Sequence, residues 1–592
     1  MEILSTDTSN FNILTPDIGT IPTTEDNIYD DNLLREYVIT LKNYDDLDTF
    51  YDDMETPGGD VYIPNRAVDV ADKRPISRNT HYFLTQFEAE QIQQDPRVQA
   101  VDLTYAEKGI VIKPASQFSN NWSKVPQSST AKNWGVYRSY IGSTIADWGM
   151  NGTFEVSGTV NLTNIGRNVD VVICDGHIKP GHPEYAVNED GSGGSRVIQY
   201  NWFQHDPTVR GVIYPAGTYQ YTFPTAGNTY NSHGMHVAGI AAGNTQGWAR
   251  GANIYNIYPY TAGNDNIFYN WIYYVIDYIR AFHTNKLVNS ATGIKNPTIV
   301  NMSWVLASSY DLTTIKKIDF QGTSYSKPIN EPSTYWNQFK GFLGLVASDP
   351  NNSNIVFSLT RDNALDADVS DALNSGIIIV GAAGNFYMYN DVNTGTNYNN
   401  GLYTANPFGG PDNLNFYHRG SSPSAAPGVI NVSSVDGTIE ERKADYSNAG
   451  PRTNIFAPGT AIISATLGPT SIVDSRNSLY YLESMNGTSM ASPQVTGVLA
   501  CALEAYPRMK PTEALAYLTE YATKNQLSNP IDPVSTVPLP FTNYNGLLNS
   551  PNYYLKYPKE KLDYGLTYPK QNYGVRPTSK MTYPRFKRRL KG

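Results

Sequence analysis

Asn486-Gly487-Thr488-Ser489-Met490-Ala491-Ser492-Pro493 runs directly into the apolar stretch Gln494-Val495-Thr496-Gly497-Val498-Leu499-Ala500-Cys501. This pattern places a serine at the start of a buried helix. Small residues ahead of it let another backbone come close, and the first turn of a helix offers unpaired N–H groups and partial positive charge to an oxyanion. A serine in such a turn also serves as a plain helix cap. The two readings separate on whether a base and an acid stand elsewhere in the chain, because a serine hydroxyl is too weakly acidic to attack an amide unaided.

Both stand upstream. Asn231-Ser232-His233-Gly234-Met235-His236-Val237-Ala238-Gly239-Ile240 puts two histidines on an apolar helix. Before it, Asn168-Val169-Asp170-Val171-Val172-Ile173-Cys174-Asp175 is an apolar strand ending in an acid, which holds a buried carboxylate rigid. Between base and serine, Ile377-Ile378-Ile379-Val380-Gly381-Ala382-Ala383-Gly384-Asn385 is a buried strand running into a small-residue turn. Alone, Asn385 reads as a turn former; in the order Asp175, His233, Asn385, Ser489 it reads as a fourth part of one site.

These four stretches resemble the motifs of the subtilisin-like serine proteases, the subtilases (peptidase S8). The resemblance implies a serine endopeptidase working through an acyl-enzyme. Ser489 is then the nucleophile, His233 the base and Asp175 the orienting acid. The Asn385 side chain and the Ser489 backbone N–H form the oxyanion hole. His236 is then structural, and His182-Pro183-Glu184 fits the family pattern after the acid. Gly176-His177 departs from it, standing where the family has Ser or Thr followed by Gly. Sedolisins use Glu in place of the His and another serine motif, so that branch is disfavoured. The implied fold is α/β, a subtilisin-like mostly parallel sheet with helices on both faces, preceded by a small α+β propeptide-like domain.

A chain of 592 residues is too long for one ordinary core. Charged residues make up 17% and hydrophobic ones 40%, the balance of a folded chain. Two cysteines, Cys174 and Cys501, exclude a disulfide framework and read as small buried residues. No stretch reaches the roughly 18 continuous apolar residues of a membrane span. Met1-Glu2-Ile3-Leu4-Ser5-Thr6-Asp7 lacks the basic and apolar regions of a signal peptide. The expectation is a cytoplasmic or virion-associated protein.

Residues 1–33 read as a disordered leader. Residues 34–108 read as an α+β domain: strands at Glu36–Leu41, Thr80–Leu84 and Val98–Leu103, helices at Tyr44–Met54 and Ala89–Gln94. By resemblance this is a propeptide that assists folding and then inhibits by laying its tail in the cleft. A generic ferredoxin-like binding domain is the bland alternative. Residues 109–132 form a polar linker with a candidate autoprocessing site, and 133–525 the catalytic domain. Within it, Ile267–Phe282 and Ala364–Asn374 read as helices, each followed by a strand. Extra residues between Asp175 and His233, and between Ser303 and Ile355, are expected as surface loops. Residues 526–592 form a Tyr/Pro-rich basic extension. Its last forty residues carry a net +9 against −19 for the rest, which suits docking on an acidic partner or a solvated tail.

The resemblance places a peptide substrate as an added strand between Asp265-Asn266-Ile267 and Ser303-Trp304-Val305. The family has a Gly pair where Val305-Leu306 stand, so either the pocket is reshaped or the loop is rebuilt. The calcium-holding loop of many subtilases is missing from Ala242–Ala249, and no acidic cluster with metal spacing replaces it, so no cofactor is expected. Asp190–Val197 and Asn244–Arg250 also resemble subtilases encoded by marine tailed bacteriophages. A catalytically idle structural component of a viral particle is the alternative, but such a relative would be expected to lose one of the four site residues.

Overall fold

A computed structural model describes residues 33–558 apart from 64–67, 69, 73, 105–106, 108–110, 115–132, 145–159, 212–231, 260–270, 341–342, 350–351, 406–411, 439 and 530–545. The described residues open with β1 (Arg35–Leu41), α1 (Leu47–Glu55), β2 (Val70–Asp72), β3 (Asn79–Leu84), α2 (Gln86–Ile92) and β4 (Val98–Leu103), whose strands lie in the order β2-β3-β1-β4. Alternation along β1 sends Tyr37, Ile39 and Leu41 into a core with Leu47, Phe50, Met54, Tyr82 and Ile92. Val38, facing the other way, is buried in the large core of the following domain. The second helix starts at Gln86 rather than Ala89. The Thr85 hydroxyl accepts from the Glu88 N–H while the Glu88 carboxylate accepts from the Thr85 N–H, a capping box that fixes the first turn.

After β5 (Val111–Pro114), the main domain is built from α3 (Trp134–Ile141), β6 (Asp170–Cys174), α4 (Asp206–Val209), α5 (His233–Ala242), β7 (Asn253–Ile257), α6 (Trp271–Asn285), β8 (Thr298–Met302) and β9 (Trp304–Asp311). Then come β10 (Ile315–Phe320), β11 (Thr323–Ser326), β12 (Val346–Asp349), β13 (Asn352–Leu359), α7 (Asn363–Asn374), β14 (Ile378–Ala382), β15 (Gly401–Thr404) and β16 (Asn413–Phe416). The last are β17 (Ile430–Val435), β18 (Ile455–Pro458), β19 (Ile462–Thr466), β20 (Ile472–Val473), β21 (Tyr481–Met485), α8 (Thr488–Ala505), α9 (Pro511–Tyr521), β22 (Thr523–Lys524) and β23 (Tyr553–Tyr554).

Eight strands form the central sheet in the order β22-β23-β18-β17-β14-β8-β6-β7, with every pair parallel except β22 and β23. A sheet of this kind is covered on both faces, and β8 shows how. Val300 and Met302 join a core with Ile276, Ile279 and Phe282 of α6 and Val369 of α7. Asn301, pointing oppositely, accepts hydrogen bonds from Ser492 and Thr496 of α8. The expected mostly parallel, doubly covered sheet is present. It brings the C-terminal end of β6, the start of α5 and the start of α8 to one region.

Three expectations need correction. The extra residues between Ser303 and Ile355 are not plain loops: their strands β10 and β11 join β15 and β16 in a sheet over Leu312, Ile315, Ile318, Trp336 and Leu402, a hydrophobic core of their own. Residues 109–132 are not simply a linker, since Val111–Pro114 is a strand. The expected end of the main domain at residue 525 does not end its packing. Tyr554 and Leu555 are fully buried, Leu555 N–H donates to Phe456, and the Tyr554 ring lies 4.0 Å from the Arg138 guanidinium. Tyr557 stacks on Trp248 at 5.5 Å.

Those three side chains together remove enough apolar surface for on the order of 5 kcal/mol. A chain ending at Pro558 should therefore keep the thermal midpoint of the full chain, while one ending at residue 546 should unfold many degrees lower in a calorimetric scan. Equal midpoints for the two truncations would show that β23 is dispensable.

Candidate active site

Asp175 is the first residue after β6. Its backbone still follows β7, the Asp175 N–H donating to Ile257 at 3.1 Å. Its Oδ1 accepts from the N–H of Gly176 at 2.6 Å and from Nδ1 of His233 at 2.7 Å. A carboxylate can only accept, so Nδ1 of His233 is the donor in this bond. Both side chains are buried, at 1% and 2% exposure. His233 is the first residue of α5. Gly234 beside it is required for close approach: a Cβ there would come within 1.9 Å of the Gly176 carbonyl.

Ser489 lies in the first turn of α8. Its Oγ donates to the Ser303 carbonyl at 3.1 Å, and Ser303 Oγ donates back to the Ser489 carbonyl at 3.0 Å. Asn301 steadies this pair through Nδ2 to Ser303 Oγ at 2.8 Å. Asn385 follows the turn after β14. Its Oδ1 accepts from both the N–H and the hydroxyl of Thr488, each at 2.8 Å, which turns Nδ2 towards Gly487. A Cβ at residue 487 would stand 3.0 Å from that nitrogen, so the glycine keeps the space beside Ser489 open. Thr488 was not singled out from the sequence, although it is part of the serine stretch itself.

Ser303, Trp304 and Val305, the segment expected to flank a peptide, lead into β9. Trp304 is buried, and its Nε1 donates to the Cys174 carbonyl at 2.9 Å. Val305 packs with Ala307, Phe357, Leu359, Phe386 and Met388. On its free edge β9 takes β5 as an antiparallel neighbour, with Val111 opposite Ala307, Lys113 opposite Val305 and Pro114 opposite Trp304. The other expected segment, Asp265-Asn266-Ile267, lies outside the described residues.

Around the site, burial pushes His236 down to about 3 and His177 down to about 4. His236 lies wholly in the interior with Nε2 against the Glu483 carbonyl, and His177 stacks on Tyr258 at 4.3 Å. Near the short segment after α5, Glu184 is matched by Arg476 and accepts from the backbone of Thr245 and Gln246. Arg196 donates to five backbone carbonyls there. The oxygen donors that a calcium ion would need are engaged by two guanidinium groups, so this cluster does not fit the ion.

The family model described as "Subtilase family" matches residues 166–532. Among curated relatives, the subtilisin-like serine protease Pen c 2 of Penicillium citrinum is 26% identical over 52% of this chain and 46% of its own length. Alkaline protease 2 of Aspergillus fumigatus is 24% identical over 52% and 43%. The extracellular serine proteinase of Thermus sp. is 23% identical over 72% and 73%. The chain thus spans about half the length of the first curated relatives it matches. Among solved structures, a cold-adapted subtilisin-like serine proteinase aligns with TM-score 0.39 at 19% identity, over 72% of this chain and 98% of that one. Fervidolysin from Fervidobacterium pennivorans aligns with TM-score 0.46 at 17% identity, over 88% and 60%.

The buried histidines make stability pH-dependent. His236 and His418 are held to about 3, and His177 and His283 to about 4, in each case by burial. Unfolded, each titrates near its ordinary 6.5. Between those values the unfolded chain binds more protons, so stability falls as pH drops from about 6.5 towards 3. Urea unfolding should give a markedly lower free energy at pH 4.5 than at pH 7. A flat profile would contradict the burial of neutral imidazoles.

Proposed function

This chain belongs to the subtilase family, and we propose that it is a serine endopeptidase acting through Ser489, His233 and Asp175, and that it cuts its own chain before acting on others. The observation that carries the reading is the oriented acid–base pair, Asp175 Oδ1 to His233 Nδ1 at 2.7 Å, on the domain that also carries Ser489 at a helix start and Asn385 with its amide pinned by Thr488.

The chemistry follows from those atoms. A peptide pairs with β9, as β5 does, and brings a carbonyl carbon to Ser489 Oγ. Nε2 of His233 takes the hydroxyl proton as the C–O bond forms. The imidazolium is balanced by Asp175, which stays ionised. The carbonyl oxygen gains negative charge against the Asn385 amide and the Ser489 N–H. His233 then hands its proton to the leaving amine, the C–N bond breaks, and the acyl group stays on Ser489. Water, deprotonated by His233, releases it. Losing the Asn385 donor should cost on the order of 10²–10³ in kcat, a magnitude measured on subtilisin, a member of the same family.

Self-cleavage is supported by β5. An extended segment of this chain occupies the edge of β9 that a substrate would use, and its direction runs from Ala307 towards Ser303, the partner of Ser489. We therefore assign residues 34–114 as a domain that folds with the protease domain and blocks it, and the first cut to the few bonds after Pro114. A virion role stays a scaffold alternative that no observation on the described residues favours.

Two measurements test this reading. A fluorophosphonate probe should label the wild-type chain and leave Ser489→Ala unlabelled with its fold intact. Labelling that persists in that variant would remove Ser489 as the nucleophile. Freshly expressed wild-type protein should release an N-terminal piece of about 13 kDa, in proportion to 65.5 kDa for the whole chain, and Ser489→Ala should stay whole. A fully active, uncut chain would overturn self-cleavage while leaving the triad.

A further inference from the structure

We infer that Asn256 is a positioning residue for the acid, and that Trp202, carried by the extra chain between acid and base, holds Asn256 in turn. The inference rests on the triad reading above.

Past Cys174 the chain leaves the sheet. Asp175 makes one last bond to β7, and the turn at Gly176 then carries buried carbonyls that no strand satisfies. Such groups need donors. Asn256 supplies them. It lies opposite Ile173 in the parallel register of β6 and β7, and its Nδ2 donates to Ile173 O at 2.8 Å, Gly176 O at 3.1 Å and Asp175 O at 3.3 Å. Two N–H protons thus span three carbonyls, from the last strand residues through the turn. The Oδ1 of Asn256 makes no hydrogen bond among the described residues, so the amide is used through its donor end.

The turn held this way sets the acid. Asp175 Oδ1 faces His233 on one side, and the Gly176 carbonyl wedges against Gly234 at the first turn of α5 on the other. A shift of a few tenths of an ångström at Gly176 moves the carboxylate and the imidazole relative to each other, and misplacements of about 1 Å are worth on the order of 100-fold in rate. Asn256 itself is fixed from behind. Nε1 of Trp202 donates to the Asn256 carbonyl at 2.8 Å, and the Trp202 ring packs edge-on against Tyr200 and Phe282 at 5.0 and 5.5 Å. Trp202 belongs to the stretch between Asp175 and His233 that the sequence suggested to be surface loop. At this position the stretch is buried and reaches back to the acid.

Asn256 is 2% exposed and buried beneath the acid turn, so its loss should act on the chemical step rather than on substrate binding. The test uses the full chain with Asn256→Ala, Trp202→Phe and Asp175→Asn side by side. Asn256→Ala should lower kcat by about 10–100-fold with KM within about twofold. It should also weaken or abolish the low-field proton resonance of the His233 Nδ1–H held by Asp175. Trp202→Phe keeps an aromatic ring and loses only the indole N–H, so it should move both readouts in the same direction by less. It decides the matter if Asn256→Ala does not fold. Wild-type kcat and an unchanged resonance in these variants, with Asp175→Asn inactive, would overturn the positioning role alone. A change confined to KM would do the same. Wild-type kcat in Asp175→Asn would overturn the triad reading and this inference together.

Discussion

The hydrogen bond between Asp175 and His233 governs the placement of everything around it. A carboxylate and an imidazole at 2.7 Å, both almost wholly out of water, tolerate little displacement. The fold accordingly surrounds them with backbone. The acid sits at the end of a strand bounded by two parallel neighbours, and the base opens a helix whose first glycine lets the acid turn press against it. The indole of Trp304 ties the carbonyl before the acid to β9. The same strand anchors Ser489 through its first neighbour, Ser303. Asp175, His233, Ser489 and the start of β9 are therefore joined by short covalent paths and direct hydrogen bonds.

A second constraint couples the N-terminal domain to this frame. Arg74 is fully buried, with Nε and Nη2 on Asp277 of α6, and Nη2 also on Asp368 of α7 and on the Tyr273 carbonyl. Around it Arg78 pairs with Asp371, Asn79 donates to Ala364, and Val38 enters the main core. A buried ion cluster of this kind adds little net stability over an apolar contact, but removing one partner leaves an uncompensated charge at a cost of about 3–5 kcal/mol. Its effect here is registry. It fixes the domain on the two helices flanking the sheet, and β5 follows from that domain onto the edge of β9.

The site was more legible than its surroundings. Asp175, His233, Asn385 and Ser489 each stand where a strand ends or a helix begins, and those boundaries are written locally as apolar runs broken by small residues. Ser303 was legible for the same reason. Trp304 and Val305 enter the two different cores that β9 divides, and no local pattern encodes which way each faces. Asn256 was invisible because an asparagine in a strand reads as nothing until the neighbouring turn is known to lack donors. In the fold, the parallel sheet followed from the alternation of helices and strands and from the family resemblance. The hairpins β10–β11 and β15–β16 meet only through β10 and β15, which lie far apart in the sequence, and the packing of Tyr554, Leu555 and Tyr557 sits in a Tyr- and Pro-rich stretch that composition alone reads as a tail.

The central claim is that Asp175, His233 and Ser489 act as one unit. Residues that act in concert lose activity non-additively, so the most direct measurement compares kcat for Ser489→Ala, His233→Ala and the double variant on one peptide substrate. The account predicts that the double variant is no slower than the slower single variant, because each substitution already removes the whole nucleophile–base function. Losses that multiply in the double variant would mean that the two residues act independently, and would contradict it.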